Sequence, residues 1–362
     1  MKYFNIHKDG LLLAVRSEFD IIKYANTHNM EYFLMKTTFL QFLFLPALAI
    51  LTVGHLTVTD NFAQVNSEKS FSAETYDFAS ILPEKELNAI GAAISPEPSD
   101  KTENNRTLLV VTLNVRDGKI GGGHPSIPYT NYAIKTMGDR TGAYETVFSN
   151  DIRVFESENL ARFDAICFNN TVGVLFEDPV LRKNLLDFVA DGKGFIGIHA
   201  AGATFCQYPE YDHFPEFGEM LGGFEDGGHP WGPEDTIVLK IDDPGHPVAR
   251  AFGGKPFVVS DEVFQFREPD PRGRLRVLLS IDTSRTDVGP DRNILPQRRA
   301  DMDIPISWVK PYGSGRVFYT SFGHNPHLNW NPTVLGHYMD GILYALGDLP
   351  ADDTPSSKVT GR

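Results

Sequence analysis

Gly192–Gly202, G-K-G-F-I-G-I-H-A-A-G, decides the fold. Phe195–Ile198 is a short apolar run with glycines before it and small residues after His199. That pattern predicts a buried strand that turns sharply at its carboxyl end, because nothing bulky obstructs the turn. In doubly wound α/β sheets such turns line the crevice where ligands bind. The tip of a strained strand-to-helix turn often carries a nucleophile. Here it carries an imidazole, so the chemistry to expect is that of histidine.

Outward from this strand, strand and helix patterns alternate from Thr107 onward, the mark of a parallel sheet. Strands are expected at Leu108–Leu113, Tyr144–Phe148 and Ala165–Phe168, with helices near Tyr129–Met137 and Val180–Ala190. Gly138 is expected to close the first helix. Asp178 and Pro179 open the second, and Gly192 ends it. Beyond His199 the pattern loosens. A short helix is expected at Glu216–Leu221, and strands, partly antiparallel, at Thr236–Ile241, Phe257–Val259, Val263–Phe266 and Arg276–Ile281. Ile304–Val309 and Arg316–Ser321 resume the sheet, and Thr333–Leu346 is the last helix. The fold class is therefore α/β with a mostly parallel central sheet.

The 362 residues carry 47 acidic and 33 basic side chains, a net charge of −14. No basic stripe is present, which excludes nucleic acid as a partner and suits a neutral small molecule such as a sugar. Cys167 and Cys206 are the only cysteines, too few for a disulfide framework or a cysteine zinc motif. Residues 1–34 show no clear period and read as a gene-start extension. Met35-Lys36 and the uncharged run after it give residues 35–63 the character of a signal peptide or membrane anchor, with attachment through residues 39–58. Export, to periplasm or exterior, is the expectation. Residues 64–105 read as a linker with one short helix near Pro83–Ala93, residues 106–349 as the folded domain, and residues 350–362 as a polar tail.

If these strands share one rim, several chemical groups converge. They are His124 after Gly121–Gly123, the Asn169-Asn170-Thr171 turn, His199, and His324 of Gly323-His324-Asn325. The Gly121–Gly123 run lacks the spacing and lysine of a phosphate loop. The glycine-rich loop Gly222–Gly228 delivers His229, and nearby Trp231 is expected to stack on a sugar ring. Of the acidic pair Asp261-Glu262 only one faces the site, since successive strand residues alternate. Glu262 is the choice, as base or metal ligand, with Asp261 beside the substrate. The expected catalytic set is His199, His324 and Glu262. His199, His229, His324 and Glu262 are also a candidate set for a divalent metal ion, although no H-E-x-x-H spacing exists. The same groups could do acid–base work without metal.

Several stretches then follow in a recognisable order: G-F-I-G-I-H-A-A-G, L-G-G-F-x-x-G-G-H-P, H-P-V-A-R-A-F, D-E-V-F-Q-F, the long segment Ile306–His324, and G-I-L-Y-A-L-G-D-L. Together, over about Thr107 to Leu349, they resemble the trehalose-utilisation (ThuA-like) family. The resemblance implies a flavodoxin-like three-layer sandwich related to class I glutamine amidotransferases. It also implies a role in sugar catabolism on oxidised (keto) glucosides or disaccharides. His124, His199, His229, Glu262 and His324 match the family's loop histidines and acidic pair. His199 stands where amidotransferases place cysteine, which argues against glutamine hydrolysis. Ile304 replaces a histidine common in the family, and Val263-Phe264 lacks its tyrosine. The reading is a hydrolase or lyase of modified glycosides, with a non-catalytic sugar-binding or scaffolding module as the alternative.

Overall fold

The computed structural model describes residues 11–16, 19–24, 70–95, 105–206, 213–226 and 228–359. The chain divides into two units, Met1–Val58 and Thr59–Arg362. In the first, β1 (Leu11–Arg16) and β2 (Phe19–Tyr24) form an antiparallel hairpin, a pairing that the aperiodic sequence did not announce. The proposed signal or anchor lies outside the described residues. Among the described residues, no helix is long and apolar enough to cross a membrane.

The second unit is built on one sheet of nine strands. Along the chain these are β3 (Thr107–Val111), β6 (Glu145–Phe148), β7 (Ala165–Asn169), β8 (Gly194–Ile198), β9 (Thr236–Ile241), β10 (Phe257–Ser260), β11 (Arg276–Ile281), β12 (Pro305–Tyr312) and β13 (Gly315–Thr320). β4 (Val115–Arg116) and β5 (Lys119–Ile120) form a separate small hairpin. The sheet order is β10-β9-β11-β12-β13-β8-β7-β3-β6. β6, β3, β7, β8 and β13 run parallel, and the remaining neighbours pair antiparallel. Counting reversals from β13, β12 and β9 point one way while β11 and β10 share the direction of β8. The carboxyl ends of β3, β7, β8, β10 and β13 therefore lie on one rim. This parity is why Asp261-Glu262, which follow β10, reach the same edge as His199.

Alternation along β3 shows the layering: Leu108 and Val110 join one core, Leu109 and Val111 the other. The first core is closed by α1 (Glu84–Ala93), α2 (Ile127–Thr141) and the long α5 (Pro332–Leu346); the second by α3 (Pro179–Ala190) and α4 (Pro215–Leu221). This is the expected three-layer sandwich. The Asp178 carboxylate caps α3 by accepting the Val180 N–H at 2.8 Å. Gly194 lets α5 lie directly on β8, since a Cβ there would sit 2.4 Å from the Ala345 carbonyl oxygen.

Four expectations are corrected. Gly138 lies inside α2, where a Cβ would meet the Tyr144 carbonyl oxygen at 2.6 Å; Gly142, at φ 64°, ends the helix. Val263–Phe266 is not a strand but makes only the isolated bridges Trp231–Val263 and Glu225–Phe266. Residues 70–95 are no free linker, because Phe78, Leu82, Ile90 and Ile94 are buried in the first core. The tail is strapped down to residue 359. Arg276 donates to Asp352 at 3.1 Å, and the Ser356 N–H donates to the Leu275 carbonyl at 2.9 Å.

Candidate functional site

β8 ends in a tight 3₁₀ turn, His199–Ala203, and His199 itself takes the left-handed conformation at φ 48°. A side chain held there costs about 1–2 kcal/mol relative to an ordinary conformation. The turn persists because it is fixed on both sides. The Tyr319 hydroxyl donates to the His199 carbonyl at 2.7 Å, and the His199 ring stacks on Phe264 with centroids 4.4 Å apart. The ring is fully buried, and its Nδ1 lies 2.8 Å from the Ser321 carbonyl oxygen.

The other histidines come to it. The His124 ring lies 5.0 Å from that of His199 and 5.3 Å from that of His324, while His199 and His324 are 5.4 Å apart, all edge to face. Glu262 sits among them. Its carboxylate oxygens are 3.8 Å from His199 Nε2, 4.0 Å from His324 Nε2 and 3.4 Å from His229 Nδ1. The other nitrogen of His229 faces Glu225 at 3.5 Å. His229 also stacks on Phe264, with centroids 4.9 Å apart. A phenyl ring without a hydroxyl thus packs against both imidazoles.

Electrostatics sets His229 apart from His124 and His199. Burial, reinforced by the His124 charge, keeps His199 well below the usual imidazole range, and burial with the nearby His324 lowers His124 to about 4. Burial alone would lower His229 too, but hydrogen bonds and charges from Glu225 and Glu262 outweigh it and push this residue up to about 9. Glu262 ends below its ordinary value, since its histidine neighbours outweigh its burial. At neutral pH the site holds neutral imidazoles at its floor and one imidazolium between two carboxylates.

A cavity of about 360 Å³ opens above, lined by His124, Glu225, His229 and Phe264, with Arg116 of the β4–β5 hairpin and Cys206 on its walls. His229 is the most open of the four histidines, its side chain 41% exposed. Burial pushes the Cys206 thiol well above its ordinary value, which suits a small wall residue rather than a nucleophile.

Beneath the histidines lies a buried polar layer containing several residues expected to touch substrate. Asp261 is fully buried. It accepts the Gly323 N–H at 2.9 Å and the Asn325 N–H at 2.8 Å, so it holds the loop that carries His324. Asn169 donates to Asn131 at 2.8 Å and Asn170 to Asn169 at 2.9 Å, while the Thr171 and Thr204 hydroxyls meet at 2.6 Å. The Ser126 hydroxyl completes the support by donating to the Gly323 carbonyl at 2.5 Å. These groups therefore position the rim rather than line the cavity. Trp231 is also corrected: its indole is fully buried, with Nε1 donating to the Asp287 carbonyl at 2.9 Å, and cannot stack on a sugar. The metal-ligating group whose atoms converge is His124, His199 and Glu262, in place of a set that includes His229.

Glu225 and Phe264 are the members that sequence reading missed. Glu225 stands four residues before His229, and only that spacing could have pointed to it. A lone phenylalanine carries no chemical signal.

Fold and site define an α/β sandwich with a histidine–carboxylate cleft at the carboxyl rim of its parallel strands. The sequence model of the family described as "ThuA: Trehalose utilisation" matches residues 111–345, and the chain belongs to that family, whose fold is glutamine amidotransferase-like. A ThuA-like protein from Bacteroides uniformis is similar in structure with a TM-score of 0.53 and 20% identity, over 68% of this chain and 94% of that one. Another from Parabacteroides merdae gives a TM-score of 0.46 and 16% identity, over 71% of this chain and 96% of that one. Curated proteins yielded no match.

Proposed function

We propose that the chain is an exported enzyme of carbohydrate catabolism, a hydrolase or lyase acting on modified (keto) glucosides or disaccharides in this cleft. The observation that carries the reading is the convergence of four imidazoles and Glu262 from five separate segments, two of which, His124 and His229, line a cavity large enough for a sugar ring. Membership of a trehalose-utilisation family supports a sugar as substrate.

A keto group acidifies the neighbouring C–H, so a sugar so oxidised can lose its glycosidic substituent by elimination. His324, on the rim, takes the proton. His229, held as an imidazolium by Glu225 and Glu262, donates to the departing glycosidic oxygen. His199 and Asp261 hold the floor and the His324 loop in place. A paired-carboxylate glycosidase mechanism is disfavoured, because Asp261 and Glu262 are adjacent and Asp261 is committed to backbone amides.

The test is product release from 3-keto-glucosides, assayed beside unmodified glucosides. Turnover that is confined to the keto substrates and lost in His324→Ala supports the reading; no turnover of either class refutes it. Export rests on the sequence of residues 35–63. Fractionation of cells producing the full chain tests it, and recovery in the cytoplasm alone would refute it.

A further inference from the structure

We propose that His124, His199 and Glu262 are the protein ligands of a single divalent cation of the zinc class, with a coordination position open toward the cavity. The proposal rests on the reading of this rim as the functional site, and its test needs no sugar.

Proton placement on His199 is the first observation. The Ser321 carbonyl can only accept, so the hydrogen bond at 2.8 Å puts the ring proton on Nδ1. Nε2 then carries a lone pair. That atom is buried, has no hydrogen-bond partner, and faces a Glu262 oxygen at 3.8 Å. Two electron-rich atoms so aimed repel each other unless a positive charge stands between them. A backbone carbonyl that fixes the outer nitrogen while the inner one points at a common centre is the usual support of a metal-bound histidine.

A second orphan lies in the neighbouring ring, 5.0 Å away between centroids. His124 Nδ1 is also buried without a partner. One ligand atom from each of His124, His199 and Glu262 lies within 4.8 Å of the others. Leaving a buried polar atom unsatisfied is unfavourable, and two such atoms in neighbouring rings, beside one carboxylate, ask for one solution.

The donor set selects the ion. Two imidazole nitrogens and one carboxylate oxygen suit Zn²⁺ and its first-row neighbours, whereas Mg²⁺ and Ca²⁺ prefer oxygen throughout. Bonds of about 2.0–2.1 Å put tetrahedral ligand atoms about 3.3 Å apart, so closing the 3.8 Å pair needs a shift of roughly half an ångström. Three protein ligands leave one position for water or substrate, as in catalytic rather than structural zinc sites. His229 stays outside, since its two nitrogens face Glu225 and Glu262, and His324 stands on the rim as proton acceptor.

Zn²⁺ alone is the probe. The metal-stripped chain is titrated with Zn²⁺ against a chromophoric chelator, beside His199→Ala, His124→Gln, Glu262→Gln and the control His327→Gln, an exposed residue outside the cluster. Expected are one zinc per chain and affinity reduced on the order of a hundredfold or more in each cluster variant but not in the control. Circular dichroism confirms that each variant is folded. His124→Gln and Glu262→Gln, with partly exposed side chains, keep the test alive should His199→Ala unfold. Co²⁺ loaded in place of zinc should give the intense visible bands of a four-coordinate nitrogen–oxygen site. No binding at micromolar Zn²⁺, or equal affinity in folded cluster variants, overturns the proposal. Zinc binding without sugar turnover leaves this proposal standing and removes the proposed function; turnover by a chain that binds no zinc does the reverse.

Discussion

His199 pairs a functional side chain with an unfavourable backbone, and the two can be separated. His199→Ala and His199→Gly both delete the imidazole, its bond to Ser321, its stacking on Phe264 and its orphaned Nε2. They differ only in how the backbone tolerates φ 48°. Alanine keeps the left-handed penalty of about 1–2 kcal/mol, while glycine escapes it but loses about 0.5–1 kcal/mol through its greater freedom when unfolded. The glycine variant should therefore be the more stable by about 0.5–1 kcal/mol. For a domain of this size that is a melting temperature roughly 1–4 °C higher. Paired thermal melts followed by circular dichroism, with reversibility checked, measure the difference. An alanine variant that melts at or above the glycine variant would show that the tip is not strained.

Other outcomes follow from the scaffold. His337, buried against the Val248 carbonyl and Phe318, is lowered by burial to about 4. Between the unfolded value of about 6.5 and 4, only the unfolded chain takes the proton. Stability is thus whole above pH 6.5 and falls by roughly 3 kcal/mol as the pH drops to 4. Denaturant melts of His337→Gln should lack that part of the acid decline, and an unchanged profile would refute the assignment. Arg276→Met removes a partner of the buried Asp243, 2.5 Å away, and one anchor of the C-terminal strap. The expected loss is about 3–5 kcal/mol, and a melting temperature within a degree of wild type would contradict it. Trp231→Phe should lower the melting temperature but leave affinity for a keto-glucoside unchanged, as measured by calorimetry; lost affinity would return the indole to the cleft.

The parallel half of the sheet was legible because its strands are continuous apolar runs bounded by glycine and its helices carry clear caps, as Asp178 and Asn331 show. The residues at strand ends were legible too: three histidines, Glu262 and the glycine-rich loop of His229 are polar punctuation at fixed places. What sequence could not separate was side chains that face the cavity from those that hold its floor. Asn170, Asp261 and Trp231 are as polar or as aromatic as any sugar-binding residue. Only the sheet parity and the loop path put them behind the rim. Glu225 and Phe264 were hidden for the converse reason. Their roles arise from contacts with His229 and His199 across the chain, and no local pattern records such contacts. The segment 70–95 looked like a linker because its apolar residues are spread among polar ones, yet Phe78, Leu82, Ile90 and Ile94 suffice to cover one edge of the core.

The most direct measurement is the rate at which the wild-type chain releases product from a 3-keto-glucoside, set beside folded His229→Gln and His324→Gln. If the rim histidines move the protons, wild type turns over and each variant loses on the order of a hundredfold or more in kcat. A wild-type chain that releases nothing, or variants that match it, would contradict a catalytic cleft.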